Sequence, residues 1–411
     1  MQYGCIGEKL GHSFSKIIHN EIKDYIYELL EIPKDGLDSF MQNKDFKAIN
    51  VTIPYKQDVI PYLDEISEQA RKIGAVNTIV NKNGRLYGYN TDFLGLKALI
   101  EFAKIDIENK KVLILGSGGT SKTAQAVAVS MGAESVYRLS RNGGDGLITY
   151  EDAYKNHTDA DIIINTTPCG MYPNIGASAI DIDKFPKVSG VVDAVYNPLC
   201  SQLVVTAKEK GIKAIGGLYM LVAQAVFAAE YFTDSVIDKS EIERVYNKLL
   251  RSKQNLVLIG MPSCGKSTIG KAVAEILGKE FIDSDDEIVK KEGISIPEIF
   301  ERSGEKGFRE IESSVIAELS LKQGAVVATG GGAILNKRNV DLLKGNGTVV
   351  FIDRPIDMLI TTDDRPLSSS RELLEKRYNE RYDIYCSSAD VIIKAVEELE
   401  VNIKAVAEVI K

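Results

Sequence analysis

The chain has 411 residues, more than one hydrophobic core usually organises, so two or three domains are expected. With 44% hydrophobic and 26% charged residues it has the composition of a globular protein, and its net charge of −8 excludes broad binding to nucleic acid or anionic membranes, which takes basic patches. Five scattered cysteines (Cys5, Cys169, Cys200, Cys264 and Cys386) have no C-x-x-C spacing, and neither a leader nor an apolar run of bilayer length is present, so a soluble chain in a reducing cytoplasm is expected.

Strand-like runs alternate with helical ones along the chain, which predicts an α/β protein with mostly parallel sheets. Residues 1–95 offer Tyr25–Ile32, Ala48–Ile53, and a hairpin of Asn77–Val80 with Leu86–Tyr89 around the turn signal Asn83-Gly84. A second unit, 96–215, opens on the strand Lys111–Leu115, which runs into Gly116-Ser117-Gly118-Gly119-Thr120-Ser121-Lys122. Such a turn can hold a phosphate at the helix N-terminus, although a glycine-rich βα turn need not hold a dinucleotide. The next strand, Ser135–Leu139, ends in Ser140-Arg141-Asn142, without the acidic residue that grips a ribose diol. An arginine there suits a ribose 2′-phosphate, hence NADP, unless it is a solvated loop residue. Further strands are expected at Ile162–Ile164 and Val191–Val192, and Leu218–Phe232 reads as a helix packed back onto the first unit. Helical sequence over Glu241–Leu250 leads through the short polar joint 251–254 to a last domain, 255–411.

That domain begins with the strand Leu256–Ile259 and the complete G-x-x-x-x-G-K-[ST] loop Gly260-Met261-Pro262-Ser263-Cys264-Gly265-Lys266-Ser267. Backbone N–H groups of such a loop cradle phosphates, Lys266 reaches the outer ones, and the Ser267 hydroxyl ligates Mg²⁺. Asp283 and Asp285 follow, read as alternate residues at a strand end that point together toward the loop. One carboxylate beside Mg²⁺ and another near a hydroxyl nucleophile is what phosphoryl transfer requires.

Upstream, Gly11–Lys16 (GHSFSK), Asn50–Lys56 (NVTIPYK), Gly74–Thr78 (GAVNT) and Asn90-Thr91-Asp92 occur in order, followed by Asn165–Pro168, Asp193–Pro198 and Met220–Ala225. Together they resemble shikimate dehydrogenase over about residues 1–245. The resemblance implies a substrate domain (1–95, completed by helices in 216–250) and a Rossmann-type NADP domain. It places Ser13 and Ser15 on the substrate carboxylate, Thr52, Asn77, Asp92 and Gln224 on ring hydroxyls, and Tyr196 in the same pocket. Lys56 and Asp92 become the catalytic pair, and NADP falls to Gly116, Gly118, Gly119, Ser140, Arg141 and Gly217. Lys56 alone would pass for a surface lysine, but hydride reduction of a ketone builds charge on oxygen that an ammonium stabilises and protonates.

Likewise Phe308–Glu312, Gly330-Gly331-Gly332, Asp364–Leu367 and Arg377–Tyr382, with the phosphate loop, resemble shikimate kinase over about residues 255–410. This implies a P-loop, nucleoside-monophosphate-kinase-like parallel sheet. Asp285, Arg309, Gly331, Gly332 and Arg381 would hold shikimate, Glu312 would anchor Arg309, and Gly260, Ser263, Gly265, Lys266, Ser267, Thr268 and Arg365 would meet ATP. Lys266 and Arg365 would neutralise the transferring group, Ser267 and Asp283 would place Mg²⁺, and Asp285 would orient the attacking hydroxyl. Both resemblances carry departures. The stretch between Ser15 and Asn50 is short, Asn142–Gly146 stands where a second basic residue is usual, and the lid before Arg365 is abbreviated. Pro262 and Cys264 are bulky for such a loop; a Cys264 at the helix N-terminus in a partly open cradle could serve as an oxidisable brake on the kinase, against the plainer expectation that the cysteine is simply tolerated.

The expectation is thus a bifunctional enzyme of aromatic-compound biosynthesis acting on small molecules, with homo-oligomerisation left open. An NAD-linked quinate/shikimate dehydrogenase working catabolically is one rival. A metabolite-sensing scaffold is the other, but it predicts losses at Lys56, Asp92, Lys266 or Asp285, and all four are present.

Overall fold

In the computed structural model, which describes residues 1–10, 14–359 and 371–410, the strands form three sheets of six, six and five members. The first contains β1 (Tyr3–Gly7), β2 (Tyr27–Glu31), β3 (Ala48–Val51), β4 (Glu65–Ile66), β5 (Thr78–Lys82) and β6 (Arg85–Tyr89), in the order β2-β1-β3-β5-β6-β4. β1 runs parallel to β2 and β3, whereas β5 and β6 form the expected antiparallel hairpin. Its tip residues, Asn83 (φ 55°) and Gly84 (φ 85°), are both left-handed, which is the reason Asn-Gly stands there.

The second sheet is parallel throughout: β7 (Lys111–Leu115), β8 (Ser135–Ser140), β9 (Leu147–Thr149), β10 (Ile162–Asn165), β11 (Gly190–Asp193) and β12 (Lys213–Ile215), ordered β12-β11-β10-β7-β8-β9. The apolar runs of β7 and β10 are fully buried, as strands covered on both faces require. The third sheet is parallel too, with β13 (Asn255–Ile259), β14 (Glu280–Asp283), β15 (Ala325–Ala328), β16 (Gly347–Asp353) and β17 (Val391–Lys394) ordered β14-β15-β13-β16-β17. In both parallel sheets the first strand is central and later strands pair on either side of it. The loops after β7 and β13 therefore open at topological switch points, where ligands bind in such sheets.

The helices of the first two sheets are α1 (Ser15–Ile22), α2 (Leu37–Asn43), α3 (Glu68–Ile73), α4 (Thr91–Phe102), α5 (Gly119–Ser130), α6 (Tyr150–Asn156) and α7 (Gln202–Glu209), followed by α8 (Leu218–Thr233) and α9 (Ser240–Lys253). As its all-round apolar sequence predicts, α8 packs on α4 and α1 and reaches β3 and β5. The helices come close at Gly95, where a Cβ would stand 2.7 Å from the Met220 carbonyl oxygen and 2.9 Å from Gln224 Cβ. The joint expected at 251–254 is helical instead: α9 runs to Lys253, and Gln254 N still donates to Leu250 O at 2.8 Å. The third sheet is flanked by α10 (Lys266–Leu277), α11 (Ser284–Glu292), α12 (Ile296–Leu319), α13 (Lys337–Asn346), α14 (Arg371–Ser388) and α15 (Leu399–Glu408). The chain divides into two units, one of Met1–Cys169, Ser178–Tyr196 and Thr206–Lys248, the other of Gly170–Ala177, Asn197–Val205 and the residues from Leu249 on.

A ring cluster under the first sheet makes acid stability predictable. His19 of α1 is wholly buried, stacks on Tyr27 at 3.9 Å, and has its Nδ1 2.5 Å from the Tyr25 hydroxyl. Burial pushes the imidazole down to about 3, against a smaller opposing pull from a hydrogen bond to Asn50. The native ring therefore stays neutral while an unfolded histidine protonates near pH 6.5, so this stability is complete above that pH and is lost as pH falls toward 3. At pH 5 the loss is about 2 kcal/mol. Between pH 7 and pH 5 the unfolding free energy of wild type, read from chemical denaturation, is expected to fall about 2 kcal/mol more than that of His19→Phe; equal falls would refute the assignment.

Candidate active sites

Lys56 sits in the turn after β3, held by the bond from Val76 N to its carbonyl at 2.8 Å. Its Nζ donates to Asp92 Oδ2 at 2.6 Å, and both side chains are mostly shielded, at 21% and 12% exposure. Asp92 lies in the first turn of α4, whose N-terminus is capped by Asn90 accepting from Phe93 N at 3.1 Å. Asn77 is 3% exposed and its Oδ1 accepts from Thr91 N at 2.7 Å, which fixes the amide's orientation. Its Nδ2 donates to Gln224 Oε1 of α8 at 3.3 Å. Thr52 lies in the same turn as Lys56, where Tyr55 N donates to its carbonyl at 3.0 Å. Ser15 opens α1 beside Phe14, whose ring meets that of Tyr196 at 5.5 Å. Lys56 is thus bonded to Asp92 and Asn77 to Gln224, and the two pairs meet where Asn77 accepts from the N–H of Thr91, the neighbour of Asp92, while the Phe14 ring, next to Ser15, meets that of Tyr196. Ser13 lies outside the described residues.

Behind this group runs a chain that sequence reasoning did not assign. The Tyr27 hydroxyl donates to Asn50 Oδ1 at 2.7 Å, and Asn50 Nδ2 donates to Asn77 O at 3.3 Å and Thr78 Oγ1 at 3.2 Å. Asn50 and Thr78 stood inside quoted motifs, so polar residues within a strand expected to be buried were the signal available.

The cofactor loop follows β7. Gly116 has φ 120°, and a Cβ there would meet Thr166 Oγ1 at 2.7 Å. Gly118 caps α5, and around both Gly118 and Gly119 the space a Cβ would enter is open. Ser140 ends β8, and Gly217 caps α8 with its N–H on Val195 O at 2.8 Å. Arg141 is exposed and has no hydrogen bond or ion pair to any described residue. An open helix N-terminus and a free guanidinium fit the phosphates of NADP. The unusual segment after Arg141 is a tight reversal into β9, with Gly143, Gly144, Asp145 and Gly146 all at positive φ, which explains its glycines.

In the kinase-like domain, Gly260 (φ 149°), Ser263 (φ 64°) and Gly265 (φ 99°) bend the loop between β13 and α10. Lys266 is 8% exposed and its Nζ donates to Gly260 O and Met261 O, both at 2.9 Å. Ser267 donates to Asp283 Oδ2 at 2.6 Å, while Thr268 is exposed on the first turn of α10. A hydroxyl and a carboxylate side by side at a phosphate loop fit Mg²⁺, which takes few protein oxygens and completes its shell with phosphate and water.

Two expectations are corrected. Asp283 and Asp285 are not alternate strand residues: β14 ends at Asp283, which caps α11, and Asp285 N donates to Asp283 Oδ1 at 3.0 Å. The helix follows the strand without a loop, so the shared direction comes from a capped first turn. Cys264 is not partly open either; at 1% exposure it packs in the domain core.

Glu312, 1% exposed, accepts from Arg309 Nη1 at 2.7 Å, and burial pushes its carboxyl up against the pull of Arg309. Gly330 leaves both carboxylates close to the chain, because a Cβ there would come within 2.7 Å of Asp285 Oδ1 and 2.8 Å of Glu312 Oε1. Gly332 lies against the Arg309 guanidinium with equally little room. Arg381 of α14, 6% exposed, donates to Gly331 O at 3.0 Å. Arg309, Arg381, Glu312 and Asp285 are therefore each in contact with one of the three glycines, the middle one of which abuts Pro262 of the phosphate loop. Arg354, missed in the sequence, has Nη1 3.7 Å from the Cβ position of Gly265, and its buried Nε has no partner among the described residues. Arg365 and the lid residues Thr361–Asp364 lie outside the described residues.

Residues 262–411 match the family model for shikimate kinase, and residues 5–79 that for the shikimate dehydrogenase substrate binding domain. The chain is 39% identical over 265 residues to a shikimate dehydrogenase (NADP(+)) of Clostridium perfringens, spanning 60% of this chain and 97% of that relative. It is similar to the solved chorismate mutase/shikimate 5-dehydrogenase fusion protein from Clostridium acetobutylicum, with 39% identity, a TM-score of 0.57, and 60% and 96% of the two chains covered. Shikimate 5-dehydrogenase from Thermus thermophilus, solved with NADP(H) and shikimate, gives 28% identity, a TM-score of 0.55, and coverage of 60% and 99%. Over the 60% of its length that these relatives cover the chain belongs to the shikimate dehydrogenase family, and with the shikimate kinase domain that follows it is a bifunctional enzyme of the shikimate pathway.

Proposed function

We propose that the two halves act in succession, reducing 3-dehydroshikimate to shikimate and then phosphorylating shikimate to shikimate 3-phosphate, within chorismate biosynthesis. The supporting observation is that one chain holds two polar constellations suited to the same carboxylated, hydroxylated ring: Lys56–Asp92 with Asn77 and Gln224, and Asp285 with Arg309 and Arg381 beside the phosphate loop. NADPH supplies the hydride to the first half and ATP the phosphoryl group to the second.

In the first half, Ser13 and Ser15 hold the carboxylate while Thr52, Asn77 and Gln224 hold the ring hydroxyls. Lys56 Nζ, oriented by its bond to Asp92, protonates the oxygen that gains charge. Gly116, Gly118 and Gly119 face the dinucleotide phosphates, and Arg141 with Ser140 receives the 2′-phosphate. In the second half, Arg309 and Arg381 clamp the carboxylate, and Asp285 orients the hydroxyl made in the first reaction. Lys266 and Arg365 balance the moving charge, with Ser267 and Asp283 on Mg²⁺. The domains carrying these roles are 1–95 with 216–250, 96–215 and 255–411, and the cytoplasm is the compartment.

Wild-type protein given 3-dehydroshikimate, NADPH and ATP·Mg is expected to convert all substrate to the phosphorylated product. Added labelled shikimate should dilute into that product, because the intermediate leaves one site and is captured by the other. Accumulation of unphosphorylated shikimate with ATP present would defeat the second half of the reading, and no NADPH oxidation the first.

A further inference from the structure

Tyr385 lies on α14 one turn beyond Arg381, 1% exposed, with its ring stacked on Phe351 at 5.0 Å and 13°. Its hydroxyl reaches two backbone carbonyls that belong to different functional loops. One is Gly331 O, at 2.5 Å, in the loop after β15; the other is Gly260 O, at 3.0 Å, the first residue of the phosphate loop. The loops also meet directly, since a Cβ on Gly331 would stand 2.9 Å from Pro262 Cδ. The proline that is bulky for such a loop is therefore the surface on which Gly331 rests.

Each of these carbonyls has a second donor, and in both cases it is a cation of the site. Arg381 Nη1 donates to Gly331 O at 3.0 Å, and Lys266 Nζ donates to Gly260 O at 2.9 Å. A buried carbonyl stripped of its donor carries a desolvation penalty, so a guanidinium turns to an incoming anion most readily when another donor serves the carbonyl it leaves. The phenol has one proton to give, and burial pushes its ionisation far above the ordinary range, so it remains a donor. Its shorter contact is to Gly331 O, the carbonyl shared with Arg381.

We infer that Tyr385 is a positioning residue of phosphoryl transfer: its hydroxyl serves the Gly331 carbonyl when Arg381 turns to the acceptor's carboxylate, and it keeps the acceptor loop aligned with the phosphate loop. The inference rests on the shikimate kinase reading of this domain. It concerns a side chain that neither resemblance assigned, joined to its partners only through contacts distant in sequence.

Tyr385→Phe in the full chain tests it, because the ring and its stacking on Phe351 remain and only the hydroxyl is lost. Kinase rates are measured with shikimate varied at saturating ATP and the reverse. The shikimate KM is expected to rise about tenfold, the size of one hydrogen bond, while the ATP KM stays within about twofold. Dehydrogenase turnover and the melting temperature should not move. In an Arg381→Ala background the same change should alter kcat/KM for shikimate by less than about twofold, since no guanidinium remains to be released. An unchanged shikimate KM, an equal effect in both backgrounds, or a fall in kcat that tracks a lowered melting temperature overturns the inference while the kinase reading stands. Wild-type protein that does not phosphorylate shikimate overturns both.

Discussion

Replacing Lys56 with alanine is expected to slow NADPH oxidation with 3-dehydroshikimate by about 10²–10⁴-fold, the usual worth of a positioned proton donor. The expectation follows from the geometry. Lys56 Nζ is bonded to Asp92 at 2.6 Å in a mostly shielded place, with Asn77 and Gln224 alongside to fix a ring. A ketone reduced there becomes an alkoxide at the moment of hydride arrival, and an ammonium ready to share its proton lowers that barrier. The fold should tolerate the loss: Asn90 still caps α4, and Asp92 keeps the favourable dipole of the helix N-terminus. The variant should therefore phosphorylate added shikimate at the wild-type rate, with shikimate KM in the kinase assay unchanged. Retention of more than a tenth of the NADPH oxidation rate would show that Lys56 does not carry the proton transfer.

The parts of these sites that could be read in the sequence are those whose chemistry imposes a local spacing. The phosphate loop announces itself because Gly260 and Gly265 take conformations that side chains resist, and Asn83-Gly84 announces its hairpin for the same reason. Strands β7, β10 and β13 were legible as apolar runs because burial on both faces leaves no room for alternation. β1 was not, since Tyr3-Gly4-Cys5-Ile6-Gly7 is short and its glycines look like punctuation. Gly4 is in fact a close-packing residue under the Glu28 carbonyl of β2. The misreading of Asp285 had a visible remedy: Asp-Ser-Asp-Asp is an N-cap followed by an acidic first turn, a helix-start signal as good as any strand pattern. Exposure is a different matter. Whether Cys264 faces solvent or the core depends on what β16 and α14 place over the loop, and no spacing within the loop encodes that. The same holds for Tyr27 behind Asn50 and for Tyr385 between two loops, where the partners come from strands and helices far away in the chain.

Asp285→Asn separates chemistry from architecture in the kinase domain and is expected to lower kinase kcat by about 10²–10³-fold. Asparagine keeps the shape, and its backbone N–H can still donate to Asp283 Oδ1, so the cap of α11 survives. With Arg309 and Arg381 unaltered as the proposed carboxylate clamp, shikimate KM should shift by only a few fold. On the proposed reading, what disappears is the negative charge that orients the attacking hydroxyl and draws on its proton. Stability should move the other way. Burial is the main reason Glu312 is pushed up, but Asp285 adds to it, so removing that charge relieves a repulsion beside a carboxylate that is 1% exposed. A melting temperature equal to or slightly above wild type, together with a collapsed kcat and an unaltered dehydrogenase, is the expected pattern. A kcat within tenfold of wild type would remove Asp285 from the reaction, and a melting temperature several degrees lower would make the loss one of folding. The position is therefore one where the protein holds two carboxylates closer than stability favours, and Gly330, with no side chain to separate them, makes that approach possible.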